Sequence, residues 1–593
     1  MILQSLYNYY QRKSALGDNQ VAPLGFEWVA IPFIIIIDKD GKFIDIHDTR
    51  ELDGNKKIAK QFLVPHRVKK ASKIIPNLLW DYAPYIFGLD KKNDEHKAAQ
   101  RKLAFENNII NTFSNLPSDI GVNAVLSILK NGQLDTLHQH PLWPEISNPA
   151  SAIAFQLLND TELVCHREII QKVIEDQHNN SHNNLHTCLI TGEPGEIARL
   201  HPYIKGLAFG QPSGTNIVSY NFDAACSFNK KQGENAPISI PASEAYTTAL
   251  NKLLEKSSNQ KILFGETTIV FWAAKQDDME NILGELFSRN FKKTDDKTDD
   301  PDAGVKAVES LYKKPLTGDG FISDENKTQF FVLGLTPNVS RIAINFWHVC
   351  PIAELAKNIR QHFDDIKITH SIKQPEYLTL YQLLSAVALQ NDIKNVPPNL
   401  IAETMQSILK GTQYPHILLQ STLRRIRAAH TEDQKHPVHK VNYARVALLK
   451  AIITRSISKI NAQEKENLMS LSTTNQNIGY QLGRLFAVLE KTQNEALGDL
   501  NASICDRYYG AASSTPIVVF PNLIKLNNHH LSQLTNNGRK VNLIKLIGEI
   551  VNNFQDFPSV LSLPDQGRFA IGYYHQMQYF YTKSDTKLQG DLS

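Results

Sequence analysis

The spacing of apolar residues changes along the chain from strand-like runs to helical periodicity. Residues 26–46 (FEWVAIPFIIIIDKDGKFIDI) hold two β-branched runs joined by Asp-Lys-Asp-Gly, which predicts a β-hairpin. A helical pattern with a charged outer face follows from about Lys91 to Lys130. The middle region mixes strands with helices such as ASEAYTTALNKLLEKS, and its predicted strands are NIVSYNF, TTIVFWA, TQFFVLGLTP and SRIAINFWHV.

Helical patterning dominates from about Glu376 onward. LIAETMQSILKG and GYQLGRLFAVLEKTQNEAL carry apolar residues at three- and four-residue intervals, which is typical of a helical bundle. The sequence therefore predicts an α+β protein, with mixed α/β N-terminal and middle regions followed by an all-α C-terminal bundle. The predicted domains are 1–110, 111–375 and 376–593. The polar run KKTDDKTDDPDAG, residues 292–304, is expected to be an exposed loop or insertion.

Composition is that of an ordinary globular protein, with 42% apolar residues and a net charge of +3 on 593 residues. The longest apolar run, Ile31 to Ile37, contains Pro32 and is far shorter than the ~20 residues that cross a bilayer. The N-terminal MILQSLYNYYQRK lacks the order of regions found in a secretory signal. We therefore expect a cytoplasmic protein without a membrane segment. Its five scattered cysteines are expected to be reduced.

Known catalytic motifs are missing from the sequence. It contains no Walker loop, no dinucleotide fingerprint, no H-E-x-x-H and no G-x-S-x-G. A metal-dependent nuclease needs converging carboxylates or histidines, and no such set can be nominated from the sequence. We therefore expect no enzyme activity, no cofactor and no bound metal.

A basic patch lies between Gly54 and Trp80, where seven Lys or Arg occur without any Asp or Glu. Such a run neutralises phosphates well, although a solvated charged face would have the same composition. The candidate DNA-binding residues of this patch are Arg67, Lys69, Lys70, Ser72, Lys73 and Asn77.

The segment GQPSGTNIVSYNFDAACSFNKKQGENAP, residues 210–237, combines glycines with amides, hydroxyls and a lysine pair. Amides and hydroxyls both donate and accept, so they suit base edges as well as phosphate oxygens, and glycines allow close approach of the backbone. The segment favours a nucleic-acid grip over a cofactor cradle. Its candidate residues are Gln211, Ser213, Asn216, Lys230, Lys231, Gln232 and Asn235.

A third basic run, residues 421–459, holds nine Lys or Arg against Glu432 and Asp433. Solvated helices of a bundle would explain it equally well. The residues proposed to follow a strand or its backbone are Arg424, Arg425, Arg427 and, further along, Arg484.

Eight ordered segments together resemble one known family. They run from MILQSLYNYY through KIIPNLLWDYAPYIFG, ARLHPYIKGLAFGQPSGTNIVSYNF and RYYGAASSTPIVVFPNLIKL to DQGRFAIGYYHQ, and they cover nearly the whole chain. The chain resembles the large subunit of the type I-C CRISPR surveillance complex (Cascade), the Csd family. One departure lies at Ala71–Ser72–Lys73, where a more basic KRTSG-like core is expected.

The resemblance implies a non-catalytic role in a ribonucleoprotein complex. In this family the large subunit recognises the protospacer-adjacent motif (PAM) on duplex DNA, helps to start unwinding, and presents the R-loop to a separate helicase-nuclease. Guide RNA pairing reads the rest of the target. The implied partners are the backbone, crRNA-end-binding and small helical subunits of a crRNA-containing complex, the target double-stranded DNA with its displaced strand, and a helicase-nuclease recruited in trans.

Two other functions stay open at this point: a metal-dependent nuclease of the same defence pathway, and a basic scaffold without base readout. Complexes of this type also contain small helical subunits made by internal translation. Met469 precedes SLSTTNQNIGYQLGRLF, a capping-rich stretch that leads into a helix. Residues 469–593 are therefore expected as a separate polypeptide that begins at or near Met469.

Overall fold

The computed structural model describes residues 1–16, 21–54, 56–68, 74–90, 94–114, 116–131, 133–179, 185–264, 266–287, 328–428, 440–457, 468–498 and 502–590. The chain forms two compact units. The N-terminal unit comprises Met1–Gly206, Gln211–Glu255 and Val339–Arg341. The C-terminal unit comprises Leu207–Gly210, Lys256–Asn338 and Ile342–Ser593.

The N-terminal unit mixes short strands with helices. Its strands are β1 (Phe26–Ala30), β2 (Phe33–Ile37), β3 (Phe43–Asp48), β4 (Arg50–Asp53), β5 (Lys56–Ala59), β6 (Gln61–Pro65), β7 (Trp80–Tyr82), β8 (Ala152–Leu157), β9 (Leu185–Thr187) and β10 (Pro194–Glu196). Its helices are α1 (Ile2–Ala15), α2 (Ala83–Ile86), α3 (Glu95–Phe113), α4 (Ile120–Lys130), α5 (Trp143–Ile146), α6 (Glu168–Asn179) and α7 (Ile240–Leu253).

The main sheet of this unit has the order β3-β2-β8-β7. β2 and β3 pair in antiparallel fashion, which confirms the predicted hairpin, and β2 pairs with β8 in parallel. Gly41 in the hairpin turn has φ +82°, and a Cβ there would overlap Ser127 of α4, so both backbone and space require glycine. Side chains of β2 and β8 are buried with Trp80 and Phe105 in the core of the unit.

β1 pairs separately with β6, in antiparallel register from Phe26↔Pro65 to Ala30↔Gln61. The chain leaves β6 through His66 and Arg67, and the buried Trp80 of β7 donates from Nε1 to the Pro65 carbonyl at 2.8 Å. These contacts fix the residues that follow β6 against the start of β7. They determine where Arg67 and Asn77 lie.

The C-terminal unit begins with a four-stranded sheet and continues as helices. Its strands, in sheet order, are β11 (Lys261–Phe264), β12 (Thr267–Ala273), β13 (Gln329–Asn338) and β14 (Arg341–Pro351). Its helices are α8 (Met279–Phe287), α9 (Ile352–Ile366), α10 (Leu380–Val387), α11 (Pro398–Lys410), α12 (His416–Ala428), α13 (Tyr443–Ile457), α14 (Ile478–Leu497), α15 (Ile504–Ala512), α16 (Pro516–Gln533), α17 (Asn537–Val551) and α18 (Leu563–Gly590).

Helices α14 and α18 approach each other at backbone distance. A Cβ on Gly483 would overlap the carbonyl oxygen of Phe569, and a Cβ on Gly572 would overlap that of Tyr480. Small residues at these positions let the helices interlock, with Phe486 and Tyr573 packed at the same interface. This pair forms the centre of the C-terminal helices.

The unit also contains a buried ion pair between α9 and α13. Nε of Arg455 lies 2.5 Å from Oδ2 of Asp365, and its Nη1 donates to the carbonyls of Ser407 and Thr412. The guanidinium also lies 4.3 Å from the ring centre of Tyr414. Burial lowers the pKa of the adjacent His362 to about 3, so this imidazole is neutral beside the guanidinium.

The architecture confirms the predicted fold class, α+β with helices in the C-terminal region. The boundaries of the two units differ from those of the three predicted domains, because β11 to β14 cluster with the helices that follow them.

The predicted strand NIVSYNF is wrong: apart from a single bridge at Asn216, residues 216–222 form no ladder. Residues 292–304 lie outside the described residues. Within the described part of the chain, no helix has both the length and the apolar character to cross a membrane.

Candidate nucleic-acid interface

A cleft of about 530 Å³ opens in the N-terminal unit between β1, the residues that follow β6, β7 and α7, and it is closed by residues 202–205 and 212–213. Arg67, Asn77 and Ser213, three of the residues proposed from the sequence, line it together. They come from positions up to 146 residues apart in the chain. We call this site the Arg67 cleft.

Arg67 is held by a carboxylate that the sequence did not single out. Oε1 of Glu27 accepts from both the backbone N–H and Nε of Arg67, each at 2.7 Å. Burial would raise the pKa of Glu27, but the charges of His66, Arg67 and Lys205 outweigh it and lower that pKa. Glu27 is therefore a carboxylate that fixes the guanidinium in one orientation.

Lys205 adds a second cation to the cleft. Its Nζ lies 4.0 Å from Oε2 of Glu27, and 42% of its side chain is exposed. Its backbone N–H donates to Oδ1 of Asn251 at 2.8 Å, which anchors the segment to α7. Burial and the neighbouring Arg67 lower the pKa of Lys205, while Glu27 opposes them. Arg67, Lys205 and Glu27 together carry one net positive charge.

One donor of the Asn77 side-chain amide has no acceptor among the described residues. Its side chain is fully buried, and Oδ1 accepts from the backbone N–H of Val68 at 3.0 Å. Its Nδ2 is buried and has no hydrogen-bond partner among the described residues. A buried donor with no partner costs about 1–3 kcal/mol, which favours a ligand or water at this edge of the cleft.

Ser213 reaches the cleft from a loop with a fixed base. Ile204 and Thr215 pair through reciprocal backbone hydrogen bonds of 2.8 Å. Gly214 has φ +102°, and a Cβ there would overlap Tyr203. The turn leaves Gln211 and Ser213 exposed. Both side chains are accessible to a ligand, and Ser213 is the one that lines the Arg67 cleft.

Other candidates of the grip segment have structural roles instead. Asn216 is 8% exposed, and its Nδ2 donates to the carbonyls of His201 and Pro202, so it holds the loop rather than facing a ligand. Gln232 accepts from Arg199, and Asn235 donates to the carbonyl of Gln232. Lys230 and Lys231 are exposed but do not line the Arg67 cleft. Lys69, Lys70, Ser72 and Lys73 lie outside the described residues.

The basic residues proposed in the helical region also include both exposed and buried side chains. Arg424 and Arg427 are exposed on α12, and Arg427 also donates to Oε1 of Gln566, whereas Arg425 is half-buried. Arg484 is 2% exposed and donates to Gln576 and Gln481, so its prediction as a strand-path residue is wrong. All faces of α14 near Arg484 are covered by neighbouring helices, and helical periodicity alone did not reveal this.

Glu27, Lys205 and Asn251 were missed by the sequence reasoning. No motif links them, because they belong to a strand, an irregular segment and a helix that meet only in the fold. Among the described residues, no group of three or more His, Cys, Asp or Glu is placed to hold a metal ion.

A family model described as CRISPR-associated protein (Cas_Csd1) matches residues 6–581. The chain belongs to this family. The match covers nearly all of the sequence and confirms the resemblance to the Csd family, so this Csd1 protein has a role in a CRISPR system. No curated protein matches the chain.

Proposed function

We propose that this Csd1 protein is the non-catalytic large subunit of a crRNA-guided type I-C antiviral complex. In this proposal it recognises the PAM on duplex DNA, promotes unwinding and R-loop formation, and helps to recruit a separate helicase-nuclease. The observation that carries the proposal is the Arg67 cleft, where residues from the basic patch and from the grip segment meet in a family member. Sequence beyond the motif would be read by the guide RNA.

The chemistry of the cleft fits a short duplex reader. Lys205 supplies a partly exposed cation for a phosphate, whereas Arg67 is a planar donor fork that Glu27 holds in place. The exposed Ser213 hydroxyl supplies a donor and an acceptor of the kind that distinguish base edges, while the buried Asn77 holds Val68 in place. Backbone contacts would position the duplex, and these polar groups would specify it.

We expect Lys205→Ala to weaken binding of the assembled complex to duplex DNA by a similar factor with and without the motif. A lost phosphate contact lowers the magnitude of the slope of log K against log salt by about one. The measurement is a salt titration on a duplex whose motif was selected from a randomised library. Lys97→Ala, an exposed lysine of α3 in the same unit, is the matched control and should leave the slope unchanged.

Ser213→Ala tests base readout in the same assay. Loss of one neutral hydrogen bond should reduce the preference for the motif by ~1 kcal/mol while the salt slope stays constant. If the parent complex ignores the motif, the basic scaffold without base readout is favoured instead. Cleavage by the isolated chain that depends on a divalent metal would favour the nuclease.

We also propose that residues 469–593 are made as a separate small subunit by translation that begins at or near Met469. The exposed Met469 precedes Asn477, whose Oδ1 caps α14 by accepting from the backbone N–H of Tyr480 at 3.1 Å. Residues 469–593 include α14 to α18. Gly483 of α14 lies against Phe569 of α18, and Phe486 of α14 packs against Tyr509 of α15 and Phe520 of α16. These residues can therefore bury a core of their own if translation also starts there.

Changing the Met469 codon should remove a second species of about 14 kDa from the purified complex, a size scaled from 66.8 kDa for the 593-residue chain. Intact mass spectrometry detects it. Changing the Met405 codon is the control, because Met405 lies within α11 and a start there would cut the helix. A complex that contains no such fragment before the change would contradict the proposal.

A further inference from the structure

A second cavity, of about 460 Å³, lies in the C-terminal unit between α10, the start of α13 and α18. Four tyrosines line it: Tyr443, Tyr573, Tyr574 and Tyr581. Its volume is within the range of about 300–1,000 Å³ that is usual for ligand sites. We call it the tyrosine pocket.

Two of its polar groups are available to a ligand. Tyr574 is 5% exposed, and its hydroxyl bonds to none of the described residues. Asn442 accepts the backbone N–H of Arg445 through Oδ1, while its Nδ2 has no partner in the described part of the chain. By contrast, the hydroxyl of Tyr573 donates to Glu490 at 2.6 Å. The pocket thus offers aromatic faces together with hydroxyl and amide donors that include those of Tyr574 and Asn442.

The charge of the pocket narrows the choice of ligand. None of its lining residues is Asp, Glu, Lys or Arg. At its rim, Nζ of Lys491 lies 5.5 Å from the ring centre of Tyr581. An uncharged planar group fits the interior, and an attached anionic group would remain near the lysine. An apolar peptide side chain would fit less well, because it would leave the Tyr574 hydroxyl and the Asn442 amide unpaired.

We propose that the tyrosine pocket binds one unpaired nucleobase of single-stranded DNA. The base stacks on a tyrosine ring, and its edge bonds to the hydroxyl of Tyr574 and the amide of Asn442. Stacking on aromatic side chains is how proteins bind single strands with little sequence preference. This inference rests on the proposed function for one point, that the ligand is a nucleic acid. The tyrosine pocket itself is a site separate from the Arg67 cleft.

The test uses the full chain and a single-stranded oligonucleotide with one 2-aminopurine, whose fluorescence falls when it stacks. Tyr581 is 49% exposed, so it can be replaced without opening the core. Tyr581→Ala should weaken binding about fivefold or more, whereas Tyr581→Phe keeps the ring and should bind like the parent. Tyr574→Phe removes a single hydroxyl and should weaken binding about two- to tenfold.

Tyr579→Ala is the matched control, because Tyr579 is 39% exposed on the same helix and does not line the pocket. An abasic site in place of 2-aminopurine should weaken binding to the parent. Equal binding by the parent, Tyr581→Ala and Tyr574→Phe, or by the abasic oligonucleotide, would overturn the inference. Binding of a motif-bearing duplex is measured in parallel. If the single-strand test fails but the parent still binds this duplex, only the inference about the tyrosine pocket is wrong. If the parent binds neither the single strand nor the duplex, the proposed function is wrong as well.

Discussion

Gly483→Ala is expected to destabilise the C-terminal unit by roughly 3 kcal/mol, although alanine is the better helix former. The added methyl group would overlap the carbonyl oxygen of Phe569, a backbone atom of α18 that cannot turn aside. The two helices would have to separate, and the packing of Phe486 against Tyr573 would loosen with them. Urea unfolding followed by hydrogen exchange of peptides from α14 and α18 measures the change.

Gly548→Ala is the matched control. Gly548 is an exposed glycine inside α17 with no atom within 4 Å of the position of a Cβ. There the gain in helix propensity acts alone and should stabilise α17 by up to ~1 kcal/mol. The two substitutions are therefore expected to have opposite signs. Equal, small effects would show that α14 and α18 do not approach each other this closely.

Asp365→Ala is expected to destabilise the same unit by ~3–5 kcal/mol. The substitution leaves the guanidinium of Arg455, whose side chain is 2% exposed, without its carboxylate. Its hydrogen bonds to the Ser407 and Thr412 carbonyls remain, but they do not neutralise the charge. Asp365→Asn keeps an acceptor and should lose less. The midpoint of urea unfolding, read through exchange of peptides from α9 and α13, gives the difference.

Glu255→Ala removes a carboxylate from the exposed pair that Glu255 forms with Lys252. Water screens this pair, so the loss should stay below ~1 kcal/mol. If Asp365→Ala also lowered the free energy of unfolding by less than ~1 kcal/mol, the charge of Arg455 would have to be neutralised by a group other than Asp365.

The secondary structure of this chain could largely be predicted from its sequence. The hairpin of β2 and β3 followed from β-branched runs around Asp-Lys-Asp-Gly, and the C-terminal helices followed from apolar residues spaced three and four apart. The strand predicted for NIVSYNF is wrong because β-branched and aromatic residues also occur in irregular segments. There, Thr215 and Asn216 form single bridges to Ile204 and Arg341 instead of a ladder.

The candidate site could be predicted only in part. Local composition pointed to Arg67, Asn77 and Ser213. Glu27 and Lys205 become neighbours of Arg67 only after β1 pairs with β6 and Lys205 is anchored to Asn251 of α7. The charge of a residue also did not predict whether it is exposed. Arg484 reads as a surface cation, yet its helix is buried and its guanidinium bonds to glutamines. Exposure depends on tertiary packing, which a basic residue in a helical pattern does not reveal.

The proposed function requires the Arg67 cleft to bind the PAM-proximal duplex. A cryo-EM map of the assembled complex on a motif-bearing target tests it most directly. We expect duplex DNA in the cleft, with Lys205 within reach of a phosphate and with Arg67 or Ser213 within hydrogen-bond distance of a base edge. A map with the duplex bound on another surface, and with the cleft filled by a neighbouring subunit, would contradict it.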